Sequence, residues 1–158
     1  MHSRIFQISK IPITEDQLLT EDRYIDDGFV GRIADYVSEQ MDADDDLNWL
    51  ITCKKGIELI KEDDTFKIKV VSKKDYFEKS FEEFQNLVKK FNDYTLDEFI
   101  DSKNWFDFYQ MKSCYDDKYA FYFDDNDDYF GITTLDDFMR NVEEGSIYYI
   151  GKTFDYHY

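Results

Sequence analysis

The run YFDDNDDYFG, at residues 122–131, places four aspartates and one asparagine between two pairs of aromatic residues. Oxygen side chains at alternating positions are the ligands of a calcium loop, and Asp124, Asn126 and Asp128 match positions 1, 3 and 5 of an EF-hand. That loop also needs glycine at position 6 and glutamate at position 12, where this chain has a tyrosine and a leucine. The sequence therefore predicts no tightly bound metal and no cofactor, with a weak cation site left as an alternative.

The same aspartates also suit a turn, because aspartate and asparagine side chains bond to nearby backbone groups and tolerate turn conformations. The run follows an alternating segment, Lys118–Phe123, whose pattern predicts a strand. The sequence therefore predicts that Asp124, Asp125, Asp127 and Asp128 form an exposed turn where the chain reverses after that strand.

Residues for enzymatic chemistry are few. The chain has only two histidines, His2 and His157, each within two residues of a chain end, where chains usually fray. A serine or cysteine nucleophile would therefore lack a well-placed base, and no glycine-rich phosphate loop, HExxH or CxxC motif is present. A carboxylate-dependent hydrolase needs only two acids, but 36 acidic residues identify no particular pair. We expect a protein that is not an enzyme and keep the hydrolase as an alternative.

The cysteines and the apolar runs bear on location. Cys53 and Cys114 lie 61 positions apart without a partner motif, which favours reduced, half-buried thiols over a disulfide or a metal site. The N-terminal segment has no apolar run of signal-peptide length, and no stretch approaches the ~20 apolar residues of a membrane span. The sequence predicts a soluble cytoplasmic protein that does not interact with membranes.

The net charge of −17 is unevenly distributed. Residues 15–46 hold 12 acids and 2 bases, residues 54–90 hold 8 acids and 10 bases, and residues 91–158 hold 16 acids and 5 bases. A field of this sign repels nucleic acid and anionic membranes, and it speeds encounter with basic molecules. The charge predicts a basic protein partner and no direct binding of nucleic acid.

The elements that must position these groups follow from periodicity and from capping residues. Alternating segments predict strands at residues 3–9, 118–123 and 146–156, and a hairpin formed by residues 56–61 and 66–71. Helical spacing or a cap predicts helices at 29–40, 47–51, 74–91 and 105–111, and short helices after Thr14, Thr95 and Thr134. The sum is a single α+β domain spanning residues 1–158, with a mostly antiparallel sheet covered by helices.

Three apolar patterns predict which faces of these elements are buried. The helix at 74–91 carries apolar residues at spacings of 4, 3, 4 and 3, namely Phe77, Phe81, Phe84, Val88 and Phe91. The helix at 29–40 carries a second stripe, formed by Phe29, Ile33, Tyr36 and Val37. On the last strand, period two places four residues on one side: Tyr148, Ile150, Phe154 and Tyr156.

Surface aromatics flanked by acids are the residues best suited to bind a basic protein. Thirteen tyrosines and two tryptophans exceed the needs of a core of this size, and tyrosine favours positions where its hydroxyl meets water. Aromatic anchors inside an acidic rim combine burial with electrostatic steering. The candidate partner-binding residues are Tyr115, Asp116, Asp117, Tyr119, Tyr122, Asp124, Asp125, Asp127, Asp128 and Tyr129.

Two classes of function follow from this composition. The first is a non-enzymatic protein-binding module, such as an inhibitor, an immunity-type protein or a regulatory partner of a basic target. The second is a nucleic-acid mimic, in which residues 15–46 and 91–158 form one line of carboxylates that occupies the channel of a nuclease or a defence enzyme. A plain role in solubility accounts for the same acids without any partner.

Overall fold

A mixed sheet lies at the centre of the computed structural model, which describes residues 1–41, 43–63, 65–101, 104–125 and 131–158. Within these residues the strands are β1 His2–Ser9, β2 Tyr36–Glu39, β3 Ile57–Glu62, β4 Thr65–Val70, β5 Tyr122–Asp125, β6 Ile132–Thr134 and β7 Ile147–His157. The helices are α1 Asp22–Asp26, α2 Ala43–Cys53, α3 Lys73–Asn92, α4 Leu96–Ile100, α5 Trp105–Tyr115 and α6 Leu135–Asn141, with a 3-10 turn at Glu15–Gln17.

The strands follow the order β3-β4-β7-β1-β5-β6, and β2 pairs with the C-terminal part of β7. Neighbouring strands run antiparallel except β1 and β5, which run parallel. The predicted α+β class with a mostly antiparallel sheet is therefore confirmed. Among the described residues, no helix combines the length and the apolar content that crossing a membrane requires.

A β-bulge interrupts the pairing of β1 with β7. Phe6 pairs with Thr153 and Ile8 pairs with Ile150, so β7 carries one residue more than β1 between these two pairs. A bulge of this kind reverses the alternation of side chains along the strand beyond it. Gly151 lies in the bulge, where a Cβ atom would come within 2.4 Å of the Gln7 Oε1 atom. The close approach of the Gln7 side chain explains a glycine at this position.

The bulge places the apolar residues of β7 on both faces of the sheet. Tyr148 and Ile150 belong to one buried cluster, whereas Phe154 and Tyr156 belong to the other. The prediction that all four residues lie on one side is therefore wrong, because simple alternation does not foresee an extra residue in the strand.

Each face of the sheet has its own core. The larger core lies under α2, α6 and the first turn of α3, and includes Phe6, Ile8, Leu47, Leu50, Ile68, Val70, Tyr76, Phe123, Leu135, Phe138 and Met139. The smaller core lies under α1 and the segment that follows it, and contains Ile5, Tyr24, Phe29, Ala34, Tyr122, Phe154 and Tyr156. A sheet covered on both faces explains why nearly every residue of β1 and β5 is buried.

The segment 29–40 is not a helix, contrary to the prediction. Residues 36–39 form β2, which pairs with β7, and the backbone N–H of Asp35 donates to the carbonyl of His157 at 2.8 Å. Gly28 and Gly31 adopt φ angles of +72° and +91°, which no right-handed helix contains. Tyr36, predicted to be buried, is 46% exposed. Pairing with a distant strand overrides the helical spacing of the apolar residues.

Helix α3 confirms the predicted helix at 74–91, but its aromatic stripe is not a core. Phe81 is 58% exposed, and the other four residues of the stripe are half-buried. Only Tyr76 is buried on this helix, and its hydroxyl donates to the Asp136 carboxylate of α6 at 2.7 Å. Phe77 packs against the larger core, and the rest of α3 packs chiefly against α5. The predicted burial of the stripe is therefore wrong.

Local signals located most of the remaining elements. The hairpin β3–β4 and helix α2 form where the sequence predicts them. The Thr95 and Thr134 hydroxyls accept the backbone N–H groups of Glu98 and Asp137, so both predicted caps are confirmed. Strand β5 is shifted relative to the prediction, because it begins at Tyr122 and continues through Asp125.

Candidate functional site

The ten candidate partner-binding residues divide into three groups. Asp127, Asp128 and Tyr129 lie outside the described residues. Tyr122, Asp124 and Asp125 are buried in β5. Tyr115, Asp116, Asp117 and Tyr119 lie at the surface, where Tyr115 is exposed and the other three are half-buried. Of the seven described candidates, the structure brings the last four together on one accessible segment, at the end of α5 and directly after it.

The prediction of an exposed turn is wrong for Asp124 and Asp125. Asp124 lies in an interior strand opposite Gln7 and Ile132, and the Arg23 guanidinium donates to its carboxylate at 3.2 and 3.3 Å. A buried carboxylate requires such a partner, since an unpaired charge is strongly disfavoured away from water. The charge of Asp124 thus neutralises Arg23 and does not face a binding partner.

A second group of acids is also paired inside the fold. Arg4 of β1 donates to Asp46 at 2.5 Å and also to Asp155. The Thr153 hydroxyl donates to Asp46 at 2.9 Å, and the Asp155 carboxylate lies 2.7 Å from the His2 Nδ1 atom. We call these five residues the Arg4 cluster. Its two carboxylates are buried, so they contribute to stability and not to an acidic surface.

The sequence predicts that the chain ends fray, but in the structure both ends are paired with each other. His2 and His157 pair with each other across β1 and β7, and their ring centroids lie 5.0 Å apart. The amino group of Met1 donates to the carbonyl of Tyr158 at 2.6 Å. Both histidines are therefore held in the sheet, with Asp155 beside His2 and Asp35 beside His157.

Asp116 and Asp117 connect the end of α5 to α6. The Thr134 hydroxyl donates to the Asp116 carboxylate at 2.7 Å, and the backbone N–H of Asp117 donates to the Asp136 carboxylate of α6 at 3.3 Å. The Arg140 guanidinium lies 4.0 Å from the centre of the Tyr115 ring and donates to the Tyr115 carbonyl. These interactions fix the segment, which gives its acids a structural role.

Helices α4 and α5 present an apolar surface that the sequence analysis missed. Seven large apolar residues on α4 and the first half of α5, up to residue 109, are each at least 40% exposed. They are Leu96, Phe99, Ile100, Trp105, Phe106, Phe108 and Tyr109, and together they are called the α4–α5 surface. Single exposed apolar residues are ordinary, but a concentration of this kind marks a binding surface or an aggregation risk.

The sequence of α5 explains the exposure. Trp105, Phe106, Phe108 and Tyr109 occupy almost consecutive positions, so their side chains spread over about 160° of the helix and are too wide for one stripe. The side that faces α3 is covered, because the Phe108 ring stacks on Phe91 with centroids 4.5 Å apart. Another part of this arc faces α4, where the Phe99 ring lies 6.4 Å from the Phe108 ring. The width of this apolar arc is the signal from which this surface was predictable.

An apolar groove lies beside this surface, between the end of α3, α4 and α5. Its volume is about 420 Å³, and it is lined mainly by Val88, Phe91, Leu96, Phe99, Phe108 and Met111. Leu96, Phe99 and Phe108 also belong to the α4–α5 surface, so the groove opens directly onto it. The groove therefore offers an apolar ligand both depth and a wider rim.

A larger cleft differs from the groove in its chemistry. It has a volume of about 990 Å³ and is lined by the end of α2, the middle of α3, α5 and Tyr158. Its walls carry both acids and bases, including Lys54, Lys79, Glu82 and Glu83. The charge of the cleft therefore favours neither a cationic nor an anionic ligand. The two cysteines also line this cleft and are free thiols, Cys53 exposed and Cys114 half-buried.

One polar contact fixes α5 against α3 at the edge of the groove. The Asp107 carboxylate accepts from the Tyr94 hydroxyl at 2.5 Å and from Lys90 at 2.6 Å. Its hydrogen bonds from Lys90 and then Tyr94 lower the pKa of Asp107 below its ordinary value of 3.8. The hydrogen bond from the Tyr94 hydroxyl to the Asp107 carboxylate raises the pKa of Tyr94 to about 12. Asp107 therefore stays ionised and holds the two helices together.

We expect Asp107→Asn to loosen α5 from α3 at neutral pH. Because the pKa of Asp107 is lowered by folding, its stabilising effect is complete above 3.8 and is lost as the pH falls through the folded-state pKa. Thermal unfolding followed by circular dichroism should show a lower Tm for the variant at pH 7. The difference should shrink on acidification. An exposed control, Asp93→Asn, should show neither effect; a gap that persists unchanged in acid contradicts the assignment.

Exposed acids lie around α4, on one side of the groove and the α4–α5 surface. From residue 93 to residue 117 the sequence has seven acids and two bases. Asp93, Asp97, Glu98 and Asp101 are exposed around α4. Hydrogen bonds from the backbone and the hydroxyl of Thr95 lower the pKa of Glu98, which keeps it ionised. The site therefore combines an apolar centre with an acidic rim.

Comparison with known proteins gives no relative: no family model, no curated protein and no solved structure matches the chain.

Proposed function

We propose that this chain is a non-enzymatic protein-binding module, and that it binds a basic protein partner through the α4–α5 surface. The observation that carries the proposal is the exposure of seven large apolar side chains on two adjacent helices. Trp105 and Phe99 are each 66% exposed. Aromatic residues are enriched among the anchors of protein interfaces, where burial of such side chains supplies much of the affinity.

The acidic rim supports a basic partner. Four exposed acids surround α4, and the whole chain carries a net charge of −17. Complementary charge around an apolar centre accelerates association and excludes partners of like sign. An inhibitor, an immunity-type protein or a regulatory subunit of a basic target would use this arrangement.

The buried acids favour this function over mimicry of nucleic acid. A mimic must display its carboxylates in a line that follows the spacing of phosphates. Five aspartates of the two acidic segments are instead buried, namely Asp46, Asp124, Asp125, Asp136 and Asp155. The exposed apolar residues have no role in imitating phosphates, whereas a protein interface uses them directly.

The proposal is tested by capture from a lysate of the native host, after nuclease treatment and over a salt series. The double variant Ile100→Ser/Trp105→Ser should lose the captured protein, with affinity reduced by about 30-fold or more, because each truncation removes an interface anchor. Both residues are at least 66% exposed, so the fold should not change.

A matched control tests whether capture depends on this surface. The variant Ile11→Ser/Ile25→Ser removes two residues of comparable exposure, 55% and 59%, outside α4 and α5. It should capture the same basic protein as the wild type. Equal capture by both double variants, or recovery of an acidic protein or a nucleic acid, would contradict the proposal.

A further inference from the structure

We infer that the groove between α3, α4 and α5 binds the apolar face of a basic amphipathic helix; this inference rests on the proposed function and names the kind of segment its partner supplies. The floor of the groove is the stacked pair Phe91 and Phe108, whose ring centroids lie 4.5 Å apart. Leu96, Phe99 and Met111 also line it. These are the side chains that a groove for a helical peptide presents.

The extent of the apolar area selects a polypeptide as the occupant. A small apolar molecule would fill the volume of about 420 Å³ but would leave Ile100 and Trp105 uncovered, because neither lines the groove. A helix with apolar residues at i, i+3, i+4 and i+7 inserts one row of side chains and covers the neighbouring surface with its flanks. Met111 adapts to side chains of different shape, since methionine has three flexible bonds.

The charges at the rim favour a bound helix that carries positive charge. Asp93, Asp97, Glu98 and Asp101 are exposed around α4, and the hydrogen bonds from Thr95 keep Glu98 ionised. A second copy of this chain brings the same rim and a net charge of −17, so it is repelled at long range. An anionic membrane is repelled for the same reason. Lysine or arginine residues flanking the apolar face of the helix are attracted.

Two synthetic peptides test the inference. The first is a helix of about five turns with leucine on one face and lysine on the other; the second replaces each lysine with glutamate. Titration by calorimetry should show 1:1 binding of the lysine peptide to the wild-type chain, weakened by added salt, and no binding of the glutamate peptide. The Phe99→Ala variant should bind the lysine peptide with an affinity lower by about tenfold or more, since the Phe99 ring lines the groove.

A control on the same helical unit separates the groove from general attraction to acids. Phe81 is exposed on α3 and does not line the groove, so Phe81→Ala should bind the lysine peptide like the wild type. Equal binding to Phe99→Ala and the wild type would show attraction to charge alone and overturn the inference. Sedimentation that reveals a dimer of the chain, abolished by Phe99→Ala, would overturn it as well, because the groove would then hold a second copy.

The outcomes also distinguish this inference from the proposed function. If the host protein is captured through Ile100 and Trp105 but the lysine peptide does not bind, the protein-binding role stands and the groove inference fails. If the peptide binds in the groove but the host supplies no partner that depends on these residues, the proposed function fails alone.

Discussion

Replacement of Arg4 with alanine is expected to destabilise the protein by about 3–5 kcal/mol. Arg4 donates to both Asp46 and Asp155, whose side chains are only 8% and 12% exposed. Removing the guanidinium leaves two carboxylates with little access to water and without their cation. The cost is therefore that of uncompensated charge, which exceeds the value of an ordinary ion pair.

Urea denaturation of Arg4→Ala measures this effect against a matched exposed pair. Lys61 lies 2.6 Å from Asp44, and their side chains are 52% and 43% exposed. Lys61→Ala should cost less than about 1 kcal/mol, because water screens the pair. Equal midpoints for the two variants would show that the Arg4 cluster is hydrated and does not stabilise the fold as described.

Replacement of Phe123 with alanine is expected to cost about 3–5 kcal/mol, because the residue lies at the centre of the larger core. Phe123 has no exposed surface, and its ring contacts those of Phe138 and Phe6 with centroids 4.8 and 5.9 Å apart. Truncation opens a cavity between a strand and α6 that neighbouring side chains cannot fill without moving.

Phe84→Ala provides the comparison for this second effect. The helical periodicity of the sequence places Phe84 in a core stripe, but in the structure it is half-buried and belongs to neither buried cluster. Its truncation should cost about half as much as that of Phe123 or less, since less apolar area is lost from contact. If urea denaturation shows a larger loss of unfolding free energy for Phe84→Ala than for Phe123→Ala, the stripe on α3 is the main core and this account is contradicted.

The elements that the sequence predicted correctly have local causes. Thr95 followed by Glu98 is a capping box, and Thr134 bonds the N–H of Asp137, so each helix begins where its own residues specify. The hairpin β3–β4 likewise arises from two alternating runs separated by a polar turn. Such signals act within a few residues and need no knowledge of the rest of the chain.

The failures have non-local causes. The segment 29–40 becomes a turn and a strand because β7, more than a hundred residues later, provides a pairing edge. Asp124 is drawn into the sheet by parallel pairing with β1 and by Arg23, 101 positions away. Periodicity also shows that α3 has an apolar side without showing that α5, and not the sheet, covers it.

The candidate site was only partly predictable for a related reason. The sequence pointed to aromatics within acids, and Tyr115 is exposed at the end of α5 as this idea requires. The stronger concentration, on α4 and the start of α5, is not among the candidate residues, because a cap or a helical pattern predicts a helix without showing which of its faces stays exposed. The almost consecutive apolar positions of Trp105, Phe106, Phe108 and Tyr109 contain the necessary signal, since they span about 160° of a helix and one stripe is typically about 100° wide.

Hydrogen–deuterium exchange of the chain with and without its captured partner tests the central claim, that a basic protein binds the α4–α5 surface. Peptides covering residues 96–101 and 104–111 should exchange more slowly in the complex, because the partner covers the backbone of both short helices. The hairpin β3–β4, at the far edge of the sheet, should exchange at an unchanged rate. Slower exchange in the hairpin or in another segment, with unchanged exchange across α4 and α5, would contradict the claim.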